Sequence, residues 1–377
     1  VGFGRSLDGG RTWEKSLVDV ATSDQHQSDP WLALDELDRV YYARTQSVCT
    51  DYRSCPIPGL VVSRSDDGGI VWGRMVNIHD RPDFADKASI QGDGNGTIYA
   101  SYVNAPPTAP FNMKIIATRS LDGGVTWGPS SVVITGLNPF APAVATRPNG
   151  TAHIVWWAPV SATRPGGNII VSTSTDRGVT WGAPVQVNPV AGSALFYGGI
   201  YPNRIPYPWP ATSSSGSLFV AWADKGKGEY NIVVARSDDG GTTWSEPVQV
   251  NDVDAGDQWM AVLAVDANDL LHAAWFDART GNINLYYASS TDGGRTWSTN
   301  LRITTQETPS NARSLGEYIG LAADRNGAAH LVWTDGRDGG SAIYFARTAD
   351  VPRTPVDRLA PLRPSPRGST SILPPRD

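Results

Sequence analysis

The stretch Ser-Asp-Asp-Gly-Gly-Thr-Thr-Trp at residues 237–244 decides the fold, because the chain contains six versions of it. All six follow the pattern Ser-x-Asp-x-Gly-x-x-Trp, and their tryptophans are Trp13, Trp72, Trp127, Trp181, Trp244 and Trp297. The carboxylate can accept hydrogen bonds from N–H groups of its own loop, and the glycine supplies the positive φ that a tight turn needs. The tryptophan follows as an apolar anchor with one N–H to satisfy. This motif, called the Ser-x-Asp loop below, therefore predicts a structural turn rather than a catalytic site.

The spacing of these loops indicates an internal repeat. Successive loop tryptophans lie 59, 55, 54, 63 and 53 residues apart, a length that suits four short strands with their turns. In the fifth unit, apolar and β-branched runs at residues 260–265, 271–276 and 283–288 are separated by Gly, Asn and Asp, as strands are. Four antiparallel strands per repeat, arranged in a ring, make the blades of a β-propeller. The sequence therefore predicts an all-β propeller.

With six loops of this form, known as Asp boxes or bacterial neuraminidase repeats, the chain resembles the sialidase superfamily of β-propellers. The resemblance covers residues 1–349, which we expect to form one propeller domain. Residues 350–377 are rich in Pro, Arg and Ser and predict an extended tail. The motif is specific for the fold and less specific for activity, because Asp boxes also occur in propellers that hydrolyse nothing.

A count of the strands predicts six blades. The chain begins in the middle of a repeat, and the last repeat, at residues 318–347, has three strands and no Ser-x-Asp loop. We expect the strand after Trp13 to complete this last repeat, which would join the ends of the ring and remove two open sheet edges. One strand is left over in this count, so seven blades, with an N-terminal piece removed, is the alternative.

Composition argues against several classes of function. The net charge of −6, the pI near 5.4 and the lack of a basic run argue against nucleic-acid binding. No apolar stretch approaches the ~20 residues of a membrane span, and the five histidines show no metal-ligand spacing. We therefore expect a monomer without a cofactor or a metal, and calcium held by loop carboxylates is the alternative that stays open.

The two cysteines predict the cellular compartment. Cys49 and Cys55 lie in one proline-containing loop, and their closeness favours a local disulfide over two free thiols. Disulfides persist in oxidising compartments. We therefore expect a secreted or extracellular protein, with the cell surface and the periplasm as alternatives.

The rim of the ring opposite to the Ser-x-Asp loops is the predicted location of a site. The links that lead into first strands, and those that follow second strands, lie on that rim and surround the mouth of the central channel. They carry acidic, aromatic and guanidinium groups, a composition typical of a carbohydrate or anion site. The candidates for substrate contact are Asp29, Trp31, Tyr201 and Trp259.

The resemblance to sialidases implies a set of catalytic residues. Sialidases hold the sugar carboxylate with three arginines, use an Asp as acid and base, and use a Tyr activated by a Glu as nucleophile. The matching candidates in this chain are Arg204, Arg279, Arg337, Asp257, Glu317 and Tyr318. Arg204-Ile-Pro is similar to the motif of the first sialidase arginine, although it lies in the fourth repeat here rather than in the first.

Several of these assignments have a structural alternative. Residues 275–279 (Trp-Phe-Asp-Ala-Arg) and 333–337 (Trp-Thr-Asp-Gly-Arg) are copies of each other, which favours an Asp–Arg pair that holds a loop of the blade. Arg204 can equally be an ordinary arginine of a proline-rich loop. Glu317 and Tyr318 are adjacent, and neighbours on a strand face opposite sides, so they act together only if the strand begins after them.

Two hypotheses of function follow. The first is a secreted, sialidase-like exo-glycosidase that cleaves a terminal acidic sugar from a glycan or glycoconjugate. The second is a propeller that binds a glycan or a protein and catalyses nothing. The feature that separates them is an arginine triad, an acid and a Tyr–Glu pair in one pocket.

Overall fold

The computed structural model describes residues 2–18, 25–48, 59–81, 83–106, 112–136, 138–161, 166–195, 206–312, 315–316 and 318–350. Within these ranges the regular structure is β, apart from one turn of 3-10 helix at Thr348–Asp350. The strands form antiparallel sheets that follow one another along the chain, and the inner strands of neighbouring sheets contact each other. The predicted all-β propeller with six blades is confirmed.

Each blade is built from consecutive strands. Blade 1 contains β3 (Gln25–Leu34), β4 (Val40–Val48), β5 (Gly59–Ser65) and β6 (Val76–Asn77). Blade 2 contains β7 (Phe84–Gly92), β8 (Ile98–Ala105), β9 (Met113–Ser120) and β10 (Ser131–Gly136). Blade 3 contains β11 (Phe140–Thr146), β12 (Ala152–Pro159), β13 (Gly167–Ser174) and β14 (Val185–Gln186).

The second half of the chain continues the pattern. Blade 4 contains β15 (Trp209–Thr212), β16 (Leu218–Lys227), β17 (Glu229–Ser237) and β18 (Val248–Gln249). Blade 5 contains β19 (Gln258–Val265), β20 (Leu271–Asp277), β21 (Asn284–Ser290) and β22 (Leu301–Arg302). Blade 6 contains β23 (Ile319–Ala323), β24 (Ala329–Asp335) and β25 (Ala342–Arg347), and a separate hairpin is formed by β1 (Gly2–Arg5) and β2 (Glu14–Leu17).

The Ser-x-Asp loops form the predicted turns between third and fourth strands. In blade 4, Asp239 Oδ1 accepts hydrogen bonds from the N–H groups of Thr242 and Thr243 at 3.0 and 2.9 Å, and the Thr243 hydroxyl donates to Oδ2 at 2.6 Å. The N–H of Gly241 donates to Ser237 Oγ at 2.8 Å, and Gly241 has a φ of 91°. The motif thus closes on itself through its own side chains, which explains why each copy forms the same turn.

The core lies between the blades, where most second strands are buried on both faces. All seven residues of β20 are buried, because blades 4 and 6 cover its two sides. A large, fully buried side chain recurs at one position of five second strands, namely at Tyr102, Trp156, Trp222, Trp275 and Trp333. The loop tryptophans are less buried, and Trp13 is 38% exposed. The main aromatic anchors of the core are therefore on the second strands.

The ring closes differently from the sequence-based expectation. Strand β2 pairs with β1, the strand before its own Ser-x-Asp loop, and not with β25 of blade 6. The hairpin packs between the last and first blades, because Trp13 contacts Phe345 at 5.2 Å and Phe3 contacts Trp72 at 5.1 Å between ring centroids. In the hairpin and in blades 1 to 5 the Ser-x-Asp loop joins neighbouring antiparallel strands, so for β2 the local partner prevails over the distant one.

Candidate active site at the channel mouth

The inner strands of four blades share a bend near their upper ends. The pairing register of β3, β7, β11 and β19 shifts at this point, and the residue in the bend has a left-handed backbone. These residues are Asp29, Lys87, Ala141 and Met260, with φ values of 52°, 51°, 53° and 55°. Such bulges re-aim side chains, and a left-handed conformation is costly for residues other than glycine. The bend carries an acidic residue, Asp29, in blade 1 and a basic residue, Lys87, in blade 2.

Asp29 is the centre of a polar cluster that joins three blades. Its Oδ1 atom lies 3.3 Å from Lys87 Nζ of blade 2 and accepts a hydrogen bond from the Tyr318 hydroxyl, before blade 6, at 2.5 Å. Its carboxyl group is also hydrogen-bonded to that of Asp86. The side chains of Asp29 and Lys87 are 18% and 9% exposed, so the cluster is shielded but still reached by solvent.

The carboxyl groups of Asp29 and Asp86 have pKa values that are shifted in opposite directions. Burial opposes ionisation of Asp29, but the charge of Lys87 and hydrogen bonds from Tyr318 and Asp86 outweigh it and hold the pKa of Asp29 below its usual range. Burial and the negative charge of Asp29 raise the pKa of Asp86 to about 7, although Lys87 opposes this. At neutral pH the cluster therefore contains a charged Asp29 beside an Asp86 that carries a proton in about half of the molecules.

Tyr318 is held as a neutral phenol that donates to Asp29. Burial, Tyr207 and Asp29 all raise its pKa far above the usual value. The rings of Tyr318 and Tyr207 lie 5.8 Å apart, and Lys87 Nζ lies 5.8 Å from the Tyr318 ring centroid. The phenol therefore ionises only if its proton moves to a neighbouring base, and Asp29 is in position to take it.

Aromatic side chains from opposite blades meet in the channel. The indole of Trp31 in blade 1 stacks on that of Trp209 in blade 4, with 4.9 Å between centroids and 17° between planes. Blades 1 and 4 are three places apart in a ring of six, so this stack spans the channel. The sequence analysis did not select Trp209 or Tyr207, although both belong to the proline-dense stretch before blade 4. Their alternation with prolines was the only available signal.

The other described candidates lie away from this cluster. Asp257 Oδ1 accepts the Tyr230 N–H at 3.2 Å, and the Asp257 carbonyl accepts the Ala278 N–H at 3.0 Å, so this residue joins backbone segments at the rim. Trp259 is 1% exposed and packs against Phe276 in the core.

Arg279 and Arg337 form equivalent clamps in blades 5 and 6. Arg279 Nη2 donates to Asp277 Oδ2 at 2.8 Å, and the guanidinium carbon lies 4.1 Å from the centroid of the Tyr286 ring. Arg337 donates to Asp335 and lies 4.3 Å from the Tyr344 centroid. Each aspartate also accepts a hydrogen bond from the indole N–H two residues earlier, at 3.0 Å. This geometry favours the interpretation that each Asp–Arg pair holds a loop of its blade.

Some sequence-based candidates lie outside the described residues. These are Arg204, Tyr201, Glu317, Cys49 and Cys55.

The sequence of residues 114–337 matches the model of the BNR repeat-like domain. The chain belongs to this family. No curated protein matches the sequence of this BNR propeller. Within the described residues, no helix has the length and apolar character needed to cross a membrane.

Solved structures share the fold of this BNR propeller at low sequence identity. A protein of unknown function from Dyadobacter fermentans is 17% identical over 86% of this chain and 95% of its own, with a TM-score of 0.62. The alpha-L-arabinanase of Penicillium chrysogenum is 12% identical over 89% and 97%, with a TM-score of 0.57. A Hadza microbial sialidase is 19% identical over 74% of this chain and 57% of its own, with a TM-score of 0.52. The fold is therefore one that sialidases and arabinanases also use.

Proposed function

We propose that this BNR propeller is a secreted glycoside hydrolase of sialidase type, with its active site at the channel mouth. The observation that carries the proposal is the 2.5 Å hydrogen bond from the Tyr318 phenol to the Asp29 carboxylate, beside a second carboxyl group on Asp86. A tyrosine, a base that can take its proton and a protonated acid are the groups that a tyrosine-dependent glycosidase needs.

The contact between the two carboxyl groups argues against the two-carboxylate mechanism. Retaining enzymes that use a carboxylate nucleophile keep the pair about 5–5.5 Å apart, and inverting enzymes keep them farther apart. Asp29 and Asp86 are hydrogen-bonded to each other, so they cannot flank a glycosidic bond in that way. Tyr318 is then the better nucleophile, with Asp29 as its base.

The chemistry requires two coupled transfers. Tyr318 Oη attacks the anomeric carbon while its proton passes to Asp29, and the bond from that carbon to the leaving oxygen breaks. The leaving oxygen takes a proton from an acid, a role that suits Asp86 because its pKa of about 7 lies near the working pH and leaves about half of the group protonated there. Water then attacks the anomeric carbon and gives a proton to the ionised Asp86, while the bond from that carbon to Tyr318 breaks and the phenol recovers its proton from Asp29.

Recognition of an acidic sugar remains part of the proposal and depends on Arg204. Among the described arginines, Arg279 and Arg337 are engaged by aspartates of their own loops. A guanidinium fork matches a planar carboxylate, so Arg204→Ala should weaken hydrolysis or binding of a sialoside by about one to two powers of ten. The proposed substrate is thus a terminal acidic sugar of a glycan.

The test is hydrolysis of fluorogenic glycosides by the wild type and by matched variants. Sialosides and α-L-arabinofuranosides form the panel, and we expect Tyr318→Phe and Asp29→Asn each to lower kcat by about 10²–10⁴-fold. Tyr344→Phe is the control, because Tyr344 also donates to an aspartate, Asp338, at 2.8 Å but lies in the blade 6 clamp. Equal loss in the control, or no turnover of any glycoside by the wild type, would refute a hydrolase centred on Tyr318.

One observation favours a non-catalytic propeller as the second candidate. The pKa of Tyr318 is raised far, so the ground state holds an unreactive phenol. In that case Tyr318 and the stacked indoles would serve as a binding surface for a sugar, without turnover. Glycan-array binding by a wild type that hydrolyses nothing would identify this function.

A further inference from the structure

The charged residues at the channel mouth are not required by the backbone that carries them. The bends of β3, β7, β11 and β19 have the same register shift and nearly the same φ, yet two carry charges and two carry Ala141 and Met260. An uncharged residue is therefore sufficient to form the bend. Lys87 and Asp29 need an explanation other than the fold.

Stability does not explain the pair either. Lys87 and Asp29 lose most of their contact with water, and an ion pair in such a place seldom gains more than it loses by desolvation. An uncharged side chain of similar length, such as methionine, would fill the same space. Met260 occupies the equivalent bend in blade 5. The ammonium group is therefore best explained by what it does to its neighbours.

We infer that Lys87 is a positioning residue that keeps Asp29 charged and turned towards Tyr318. Its Nζ atom lies 3.3 Å from Asp29 Oδ1 and 5.8 Å from the Tyr318 ring centroid, so it faces both members of the pair. The same Oδ1 atom accepts the Tyr318 hydrogen bond. The ammonium thus balances the charge of the carboxylate at the oxygen atom that contacts the phenol. It also prevents the carboxylate from turning away from Tyr318.

Among the described residues, the groups that contact Asp29 lower its pKa or are neutral. Lys87 supplies the positive charge, and Asp86 and Tyr318 supply protons to the carboxylate. Tyr207 faces Tyr318 from the segment before blade 4 and contributes no charge. Without Lys87, burial would favour a protonated Asp29, which could not accept the phenol proton.

The inference rests on the proposed function for its catalytic consequence, while its electrostatic part is measurable without activity. In protein labelled with ¹³C at the Asp side-chain carboxyl, the signal that disappears in Asp29→Asn identifies Asp29. We expect Lys87→Met to raise the pKa of Asp29 by about 1–3 units, the range for loss of an adjacent opposite charge. Lys87→Arg should leave the pKa close to that of the wild type.

The matched control is Lys225→Met, because it makes the same change in net charge at an exposed lysine of blade 4, 5.4 Å from the Tyr230 ring. This variant should not move the Asp29 titration. If Lys87→Met leaves the Asp29 pKa unchanged, or Lys225→Met moves it equally, Lys87 is not a positioning residue. Lys87→Gln is titrated in the same way and decides the question if the Met variant does not fold.

Kinetics add the catalytic part. The acidic limb of the kcat/KM profile should move to higher pH in Lys87→Met by the same number of units as the Asp29 pKa. The plateau value of kcat should change by a smaller factor than kcat/KM does on that limb. A shifted carbon signal with an unshifted acidic limb would overturn the catalytic part of the inference. A wild type without glycosidase activity would refute the proposed function, and the carbon titration would still decide the role of Lys87.

Discussion

Removal of the Arg279 side chain should lower the free energy of unfolding of the propeller. It should not impair a ligand site. Its guanidinium donates twice to Asp277, once to Asp252 and once to Asn300, at 2.7–3.0 Å, and it covers the Tyr286 ring. The Asp277 side chain is fully buried, so Arg279→Ala leaves a buried carboxylate with only neutral donors. These contacts make Arg279 part of the blade rather than of its surface.

The magnitude follows from the burial of each contact. Breaking a fully buried ion pair by removal of one partner costs about 3–5 kcal/mol, and the partly exposed pair with Asp252 adds about 0.5 kcal/mol or less. Because the Arg279 side chain is itself 11% exposed, we take the lower end, a loss of about 3 kcal/mol in the free energy of unfolding. For a chain of this size that corresponds to about 4 °C in Tm.

The assay is denaturant unfolding followed by tryptophan fluorescence, together with glycan binding at a temperature where all variants are folded. Arg295→Ala is the control, because Arg295 lies on an exposed Ser-x-Asp loop of the same blade and its guanidinium donates to the Asp292 carbonyl at 2.7 Å. It should change stability by less than about 0.5 kcal/mol. Unchanged stability of Arg279→Ala with lost binding of an acidic sugar would refute the clamp and support Arg279 as a substrate ligand.

Three further predictions concern burial, protonation and the cysteines. Truncation of the fully buried Trp275 to Ala should cost about 3–5 kcal/mol by urea unfolding, and truncation of the half-buried Trp244 should cost clearly less; equal losses would contradict the packing. The pKa of Asp86 is raised to about 7, so its proton stabilises the folded state at low pH and this contribution is lost as the pH rises through 7. The Tm of Asp86→Asn relative to wild type should therefore increase from pH 5 to pH 8, and a constant difference would speak against the shifted pKa. Cys49 and Cys55 should be bonded in native protein, which intact mass with and without reductant and alkylation would show, and two freely alkylated thiols would contradict it.

The amino-acid sequence alone was sufficient to predict a β-propeller. The Ser-x-Asp loop is a local structure whose hydrogen bonds join residues at most four positions apart, as at Asp239 and Thr243. Its recurrence every 53–63 residues therefore predicts the number of strands per repeat, their antiparallel pairing and the blade architecture. The closure of the ring was not predictable in the same way, because β2 had to choose between β1, which is adjacent in the chain, and β25, which is distant.

The site depended on the tertiary structure. The sequence analysis selected Asp29 and Tyr318 as rim residues, but it paired Tyr318 with Glu317 on the strength of the resemblance. The contact between Tyr318 and Asp29 joins residues 289 positions apart and exists because the ring brings the segment before blade 6 to the bend of β3 in blade 1. The left-handed bends that turn Asp29 and Lys87 towards each other have no sequence signal, since Ala141 and Met260 adopt the same bend.

Arg279 and Arg337 also show the difference between what the sequence predicts and what only the structure determines. Repetition in the sequence suggested that Arg279 and Arg337 have equivalent neighbours, because equivalent positions in a repeat have equivalent surroundings. Only the structure supplies those neighbours, a buried aspartate and a tyrosine ring in each blade. Local turn chemistry is therefore encoded over a few residues and can be recognised in the chain, whereas a site assembled from several blades is determined by how the ring closes.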